Sequence, residues 1–184
     1  MQTTEAEAGS SEAGSSEAGA AESRTTLSEA IAAVLRMMKH AEPGDLAALR
    51  RLRPGDVAAP AFWRLASGVL EDHVRTREDE DRWALVLSAM ARLAGLHHGH
   101  EPLGRALAEA DVAEARVLRL IKAHGTGFAA PLRAAVHMLQ SKGIAANQLQ
   151  LAELVLSDGT PREETIRRQI ARDYYAQMNR KEKR

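Results

Sequence analysis

From Thr26 onward, the apolar residues recur at intervals of three and four, the period of an α-helix with one buried face. Ile31, Val34, Leu35 and Met38 form the first stripe, and Thr26 with Glu29 has the spacing of a capping box ahead of it. The segment Glu42-Pro43-Gly44-Asp45 then breaks the chain. Asp45 is expected to cap a short helix carrying Leu46, Leu49 and Leu52, which Pro54-Gly55 terminates. Pro60 suits the first turn of a third helix with Phe62, Leu65, Val69 and Leu70 on one face. The acidic run Glu78–Asp81 opens a fourth, where a helix N-terminus favours negative charge, and Trp83, Val86, Leu87, Met90 and Leu93 are its stripe.

The glycine- and histidine-rich stretch Gly95–Pro102 reads as a boundary between two helical halves. Beyond it the pattern predicts a short helix over Leu103–Ala108 and one from Val112, with Asp111 as cap and Glu114 three residues on. Another runs from Phe128 to Lys142 and stops at Gly143, and a fourth covers Asn147–Leu156. The last is expected to begin with Thr160 as cap, Pro161 in its first turn and Glu163 completing a box. It carries Ile166, Ile170 and Tyr174 into a charged end. No alternating strand pattern with hairpin turns occurs.

Residues 1–24 break from this pattern. They repeat Ser-Ser-Glu-Ala-Gly in tandem and hold too little apolar surface to offset the entropy of ordering, so a disordered acidic tail is expected. The reading is an all-α helical bundle in two small lobes, 25–96 and 101–178, preceded by the tail 1–24 and followed by a charged end, 179–184. Composition agrees: hydrophobic residues make up 45% of the chain but aromatic residues only 3%, with Ala and Leu carrying most of the apolar content.

Charge changes the picture once the tail is set aside. The whole chain has 25 acids and 25 bases, and the tail takes five of the acids and one base, leaving 20 acids against 24 bases in the remainder. The folded part is mildly basic. Its cations have a placement. Arg50, Arg51 and Arg53 end the second predicted helix, and Arg105 opens the second half. Arg116, Arg119 and Lys122 are spaced to follow one side of their helix, and Arg167, Arg168 and Arg172 ride the last, with Arg168 and Arg172 one turn apart. Such rows can track phosphates, and the planar arginine fork bonds phosphate oxygens two at a time. Arginines near a helix C-terminus also complement its dipole, and arginines near acids form weak surface pairs, so each has a structural alternative. Phe62, Trp63 and Trp83 fall in or beside apolar stripes, so no exposed stacking platform is expected and any grip should be electrostatic and indifferent to base sequence.

Catalytic chemistry finds little support. The chain has no cysteine, no phosphate-binding G-x-x-x-x-G-K-[ST] loop, no G-x-G-x-x-G and no G-x-S-x-G. His97, His98 and His100 cluster beside Glu101 without the one-face spacing of helical metal ligands, and read as a solvated turn. Asp72-His73 reverses the His-Asp order of helical metal-dependent phosphohydrolases. No cofactor, bound metal or catalytic residue is expected. No apolar run is long enough to span a bilayer and the N-terminus lacks a signal-peptide layout, so a soluble, cytoplasmic protein is expected.

Three segments in series carry a resemblance. GDLAALRRL followed by PAFWRL resembles the N-terminal signature of the CasB family, the small subunit of type I-E CRISPR Cascade. EPLGRALAEADVAEARVLRLIKA is similar to that family's central segment, and ETIRRQIARDYY to its closing helix with an aromatic pair. The resemblance covers residues 27–176; the tail has no counterpart in it. It implies a non-catalytic, all-helical subunit that works beside guide RNA and the other Cascade subunits, as two stacked copies. It also implies that the subunit holds opened target DNA, chiefly the displaced strand, along basic surfaces. Carried over by motif position, Arg50, Arg51, Arg105, Arg116 and Arg168 are the leading nucleic-acid-binding candidates, followed by Arg119 and Lys122, with Arg64 behind them. Two other classes stay open: a helical scaffold or adaptor without nucleic-acid binding, and a metal-dependent hydrolase needing His73, His97, His98, His100 or His124 to converge.

Overall fold

The computed structural model describes residues 26–183; the expected tail lies outside the described residues. Nine α-helices follow one another there: α1 (Leu27–Lys39), α2 (Pro43–Leu49), α3 (Pro60–Ala66), α4 (Arg77–Arg92), α5 (Leu103–Glu109), α6 (Glu114–Ile121), α7 (Ala129–Ser141), α8 (Gln148–Leu156) and α9 (Glu163–Glu182). A 3-10 turn, Gly125–Phe128, leads into α7. The described residues contain no strand, only two isolated bridges, and the fold is the expected all-α bundle. None of these helices is long and apolar enough to cross a membrane.

Local chemistry starts the longer helices where expected. Thr26 Oγ1 accepts from the Glu29 amide, and Glu29 returns the bond to the Thr26 amide at 2.8 Å. Thr76 and Asp79 make the same box ahead of α4, satisfying donors that a helix N-terminus leaves unpaired. Three expected starts and one expected end are corrected. Asp45 does not cap α2, which begins at Pro43; its carboxylate instead accepts from Arg64 at 2.5 Å. Val69 and Leu70 lie beyond α3, which ends at Ala66. Thr160 does not cap α9, because its hydroxyl donates to Ser157 O at 2.7 Å inside the preceding turn. Asp111 does not cap α6 either. It takes a left-handed backbone, φ 53°, and its carboxylate accepts from Lys142 at 2.5 Å and Lys181 at 2.7 Å.

One hydrophobic core runs through the described helices. α4 and α8 lie at its centre: α4 buries Trp83, Val86, Leu87 and Met90 and touches α2, α7 and α8, while α8 buries Leu151, Leu154 and Val155 and meets α1 as well. α5 lies closest of all to α9, because Gly104 lets the two backbones meet. A Cβ at Gly104 would stand 2.0 Å from the Ile170 carbonyl oxygen and 2.8 Å from the Tyr174 nitrogen. Tyr174 then donates its buried hydroxyl to Val112 O at 2.7 Å, pinning the α5–α6 link onto the same helix.

Arg167 closes the C-terminal half from within. Its side chain is only 8% exposed, so of the three arginines on the last helix the first points inward, apart from its exposed neighbour Arg168. The guanidinium donates to the carbonyls of Ile121 and Ala123 and to Asp158 Oδ1. Its Nε is 2.9 Å from Glu163 Oε1, an ion pair rather than an aligned hydrogen bond, and its carbon lies 5.6 Å from the centre of the Phe128 ring. Asp158 also accepts from the Gly125 amide at 2.7 Å and meets His124 Nδ1 at 2.8 Å. Burial would raise the Asp158 carboxyl, but the Gly125 N–H, His124 and Arg82 outweigh it and hold it below its ordinary pKa.

Three outcomes test this account. Gly104→Ala forces two backbones apart and should destabilise the chain by about 3 kcal/mol in urea unfolding. Arg167→Met strands the buried Asp158, the partly buried Glu163 and two carbonyls, and should cost about 3–5 kcal/mol in the same assay. The Asp111 carboxyl is drawn down to about 2 by hydrogen bonds from Lys142 and then Lys181, below the roughly 3.9 of an unfolded chain. Its contribution is therefore present above pH about 4 and lost as pH falls through about 2. Thermal melts of Asp111→Asn should show a shallower loss of stability across that window than the parent.

Candidate nucleic-acid interface

A cation can grip a phosphate only if its donors are not already spent, so the basic residues are sorted by what each one touches. Arg50 is a strut. It is half-buried, its Nε donates to Ala91 O at 2.9 Å, and its own carbonyl accepts from Ser88 Oγ at 3.0 Å and Arg92 Nη2 at 2.8 Å. Those bonds lock the end of α2 onto α4. Arg105 Nε donates to Glu109 at 3.1 Å and lies 3.2 Å from Glu101. Arg168 is exposed and donates to Glu164 at 2.6 Å, and Arg64 is held by Asp45.

The remaining candidates stand apart. Arg51, Arg116, Arg119 and Lys122 are exposed, and their side chains have no hydrogen bond or ion pair among the described residues. On α6 the three cations follow one side while Val117 and Leu120 are buried on the other. The helix's own acid, Glu114, accepts from Tyr175 at 2.7 Å, a bond that raises the Tyr175 pKa and keeps the carboxylate engaged.

Two cations were not selected from the sequence and belong with them. Arg53 and Arg133 are likewise exposed and unpartnered among the described residues. Arg133 and Arg92 border a shallow groove between α4 and α7, whose floor includes Leu52, Leu85 and Leu132. The groove brings Arg133 near the Arg51–Arg53 end of α2, which residue spacing alone does not reveal. The available signal is that Arg133 is the sole Asp, Glu, Lys or Arg in the otherwise apolar and neutral α7. α6 packs against α7, the helix that carries Arg133.

Aromatic placement differs from expectation in one respect. Trp83 and Phe62 are buried, but Trp63 is 46% exposed, since α3 spends its buried face on Phe62 and Leu65. The histidine turn gathers no metal ligands. His97 Nδ1 accepts from the Gln148 amide at 3.3 Å, and burial followed by the nearby His98 charge lowers its pKa. His98 and His100 contact only as rings, with centroids 6.0 Å apart. Among the described residues one cluster has metal-like spacing, His124 with Asp158 and Glu163. Arg167 already supplies the positive charge between those two carboxylates, so a metal ion would have to displace a buried guanidinium.

The site is thus a set of unspent, exposed cations on α6, α7 and the end of α2. It can bind a polyanion through charge and phosphate hydrogen bonds, without a built pocket to read bases.

A family profile described as CRISPR-associated protein Cse2 matches residues 45–175, a span from α2 through most of α9 that holds every cation sorted above. Among solved structures, CasB from Thermus thermophilus is 25% identical with a TM-score of 0.66, over 82% of this chain and 99% of that one. M. ruber CasB is 21% identical with a TM-score of 0.65, over 86% and 98%. A chain of E. coli Cascade bound to a PAM-containing double-stranded DNA target is 25% identical with a TM-score of 0.61, over 81% and 96%. No curated protein sequence matches. With the profile spanning most of its length, the chain belongs to the CRISPR-associated Cse2 family, or CasB, of type I-E Cascade.

Proposed function

We propose that this chain is the non-catalytic small subunit of a type I-E Cascade complex and stabilises opened target DNA by sequence-independent backbone contacts, principally to the displaced strand. The observation that carries the reading is the unpartnered cation row Arg116, Arg119 and Lys122, with Arg133, Arg51 and Arg53 likewise exposed and unpartnered among the described residues. Exchanging a DNA duplex for an RNA–DNA hybrid is nearly balanced, so modest phosphate contacts decide whether the opened state persists. The matched E. coli chain comes from a Cascade complex bound to a PAM-containing double-stranded DNA target, and that setting supports the reading. Guide RNA, the other Cascade subunits and a second copy of the chain are the partners.

The candidate residues divide by role. Arg51, Arg116, Arg119 and Lys122 contact phosphate directly. Arg168 does so by sharing Glu164, a cheap exchange because an exposed ion pair contributes only about 0–1 kcal/mol. Arg50 acts through position, holding Arg51 and Arg53 at the groove. A scaffold reading without nucleic acid draws on one observation, the half-exposed Trp63, a side chain favoured in protein contacts.

The two readings separate in one experiment. A guide RNA complex is reconstituted with the Arg116→Glu/Arg119→Glu chain, assembly is checked by size exclusion, and affinity for matched double-stranded DNA is measured against salt. Affinity should fall about tenfold or more, and the salt slope should lose roughly 0.7–0.9 per cation removed. Intact assembly with unchanged affinity and slope would leave the scaffold reading standing.

A further inference from the structure

α9 continues past residue 175, where the family profile ends, and its last turns pass α5. The close approach at Gly104 sets the height at which they meet. It brings Arg105 of α5 opposite Gln177, Arg180 and Lys181 of α9, and these four line a hollow of about 110 Å³. All four side chains end in hydrogen-bond donors, and three of them are cationic. It has room for several waters, and so for a tetrahedral anionic group.

Its donors are set in advance. Arg105 is held by its Nε against Glu109 and Glu101, which leaves both terminal Nη groups uncommitted. Lys181 donates to Ala108 O and Asp111, each at 2.7 Å, and keeps a third proton. That bond to Ala108 also offsets the negative C-terminal end of α5, which would otherwise repel an anion. Arg180 is exposed and has no partner among the described residues. Around the hollow, Arg105, Lys142, Arg180 and Lys181 face the carboxylates of Glu101, Glu109 and Asp111, so positive charge is in excess by one.

We infer that Arg105, Arg180 and Lys181 form an anion pocket for a backbone phosphodiester of single-stranded nucleic acid. The inference rests on the nucleic-acid reading above and adds a contact at the opposite pole of Arg105, in residues beyond the family profile. A guanidinium edge meets a phosphate with two parallel bonds, and Arg180 closes from the far side.

The full chain is titrated against fluorescein-labelled oligodeoxythymidylate, with Arg180→Glu as the main variant because that side chain has no structural bond to lose. Affinity should drop about tenfold and the salt slope by roughly 0.7, with the melting curve unchanged. Arg105→Lys keeps the charge, loses the fork and should fall between the two. Separately, dimethyl phosphate should give saturable shifts of the Arg105 and Arg180 Nε–H resonances by NMR. If the α6 variant weakens the oligonucleotide while Arg180→Glu does not, the pocket is wrong and the α6 interface stands. If the oligonucleotide does not bind at all, the nucleic-acid reading fails and the dimethyl phosphate titration still judges the pocket. Preferential binding of poly-glutamate, or no saturable shift, overturns it.

Discussion

A single buried guanidinium organises the C-terminal half of this protein. Leaving a charge inside a low-dielectric core is expensive unless its donors are met, and Arg167 meets them with two backbone carbonyls, two carboxylates and an aromatic face. Those partners come from the α6–α7 connection, the α8–α9 turn and α9 itself. The network therefore sets where α6 sits against α9, and with it the direction in which the cations of α6 face.

The rest of the architecture follows a similar division of labour among charges. Arg50 ties α2 to α4 through backbone carbonyls, and Lys142 and Lys181 converge on Asp111, whose left-handed backbone takes the chain from α5 into α6. Arg50 and Lys142 are committed to the scaffold, and Lys181 spends two of its three protons there. Among the described residues the unpaired surface cations include the set on α6, α7 and just after α2, and an unpaired exposed cation is what a polyanion can use at little cost. The neutral formal charge of the whole chain conceals this sorting, because five of the 25 acids sit in residues 1–24 and others are bonded to structural cations.

Trp63 adds a different kind of surface. α3 is short, and Phe62, Leu65 and Ala66 use its inward side, so the adjacent indole is left half in solvent against the edge of the Phe62 ring. An assembly subunit needs protein contacts as well as nucleic-acid contacts, and this residue suits the former by its size and rigidity.

The sequence by itself determined the all-α class, the order of the helices and most of their buried faces, because a period of three to four is a local property of the chain. Capping was legible where the partner lies three residues away, as at Thr26 and Glu29. It was misread at Asp45, Asp111 and Thr160, whose side chains found other partners. For the candidate site, spacing picked out the α6 row, which stands exposed and unspent. It could not separate Arg167 from Arg168, adjacent residues about 100° apart on one helix, one buried and one in solvent. Nor could it bring Arg133 to Arg51, or Arg105 to Arg180. Tertiary structure alone decided these, since whether a guanidinium is a strut or a grip depends on which carbonyls and carboxylates the fold carries to it from distant segments.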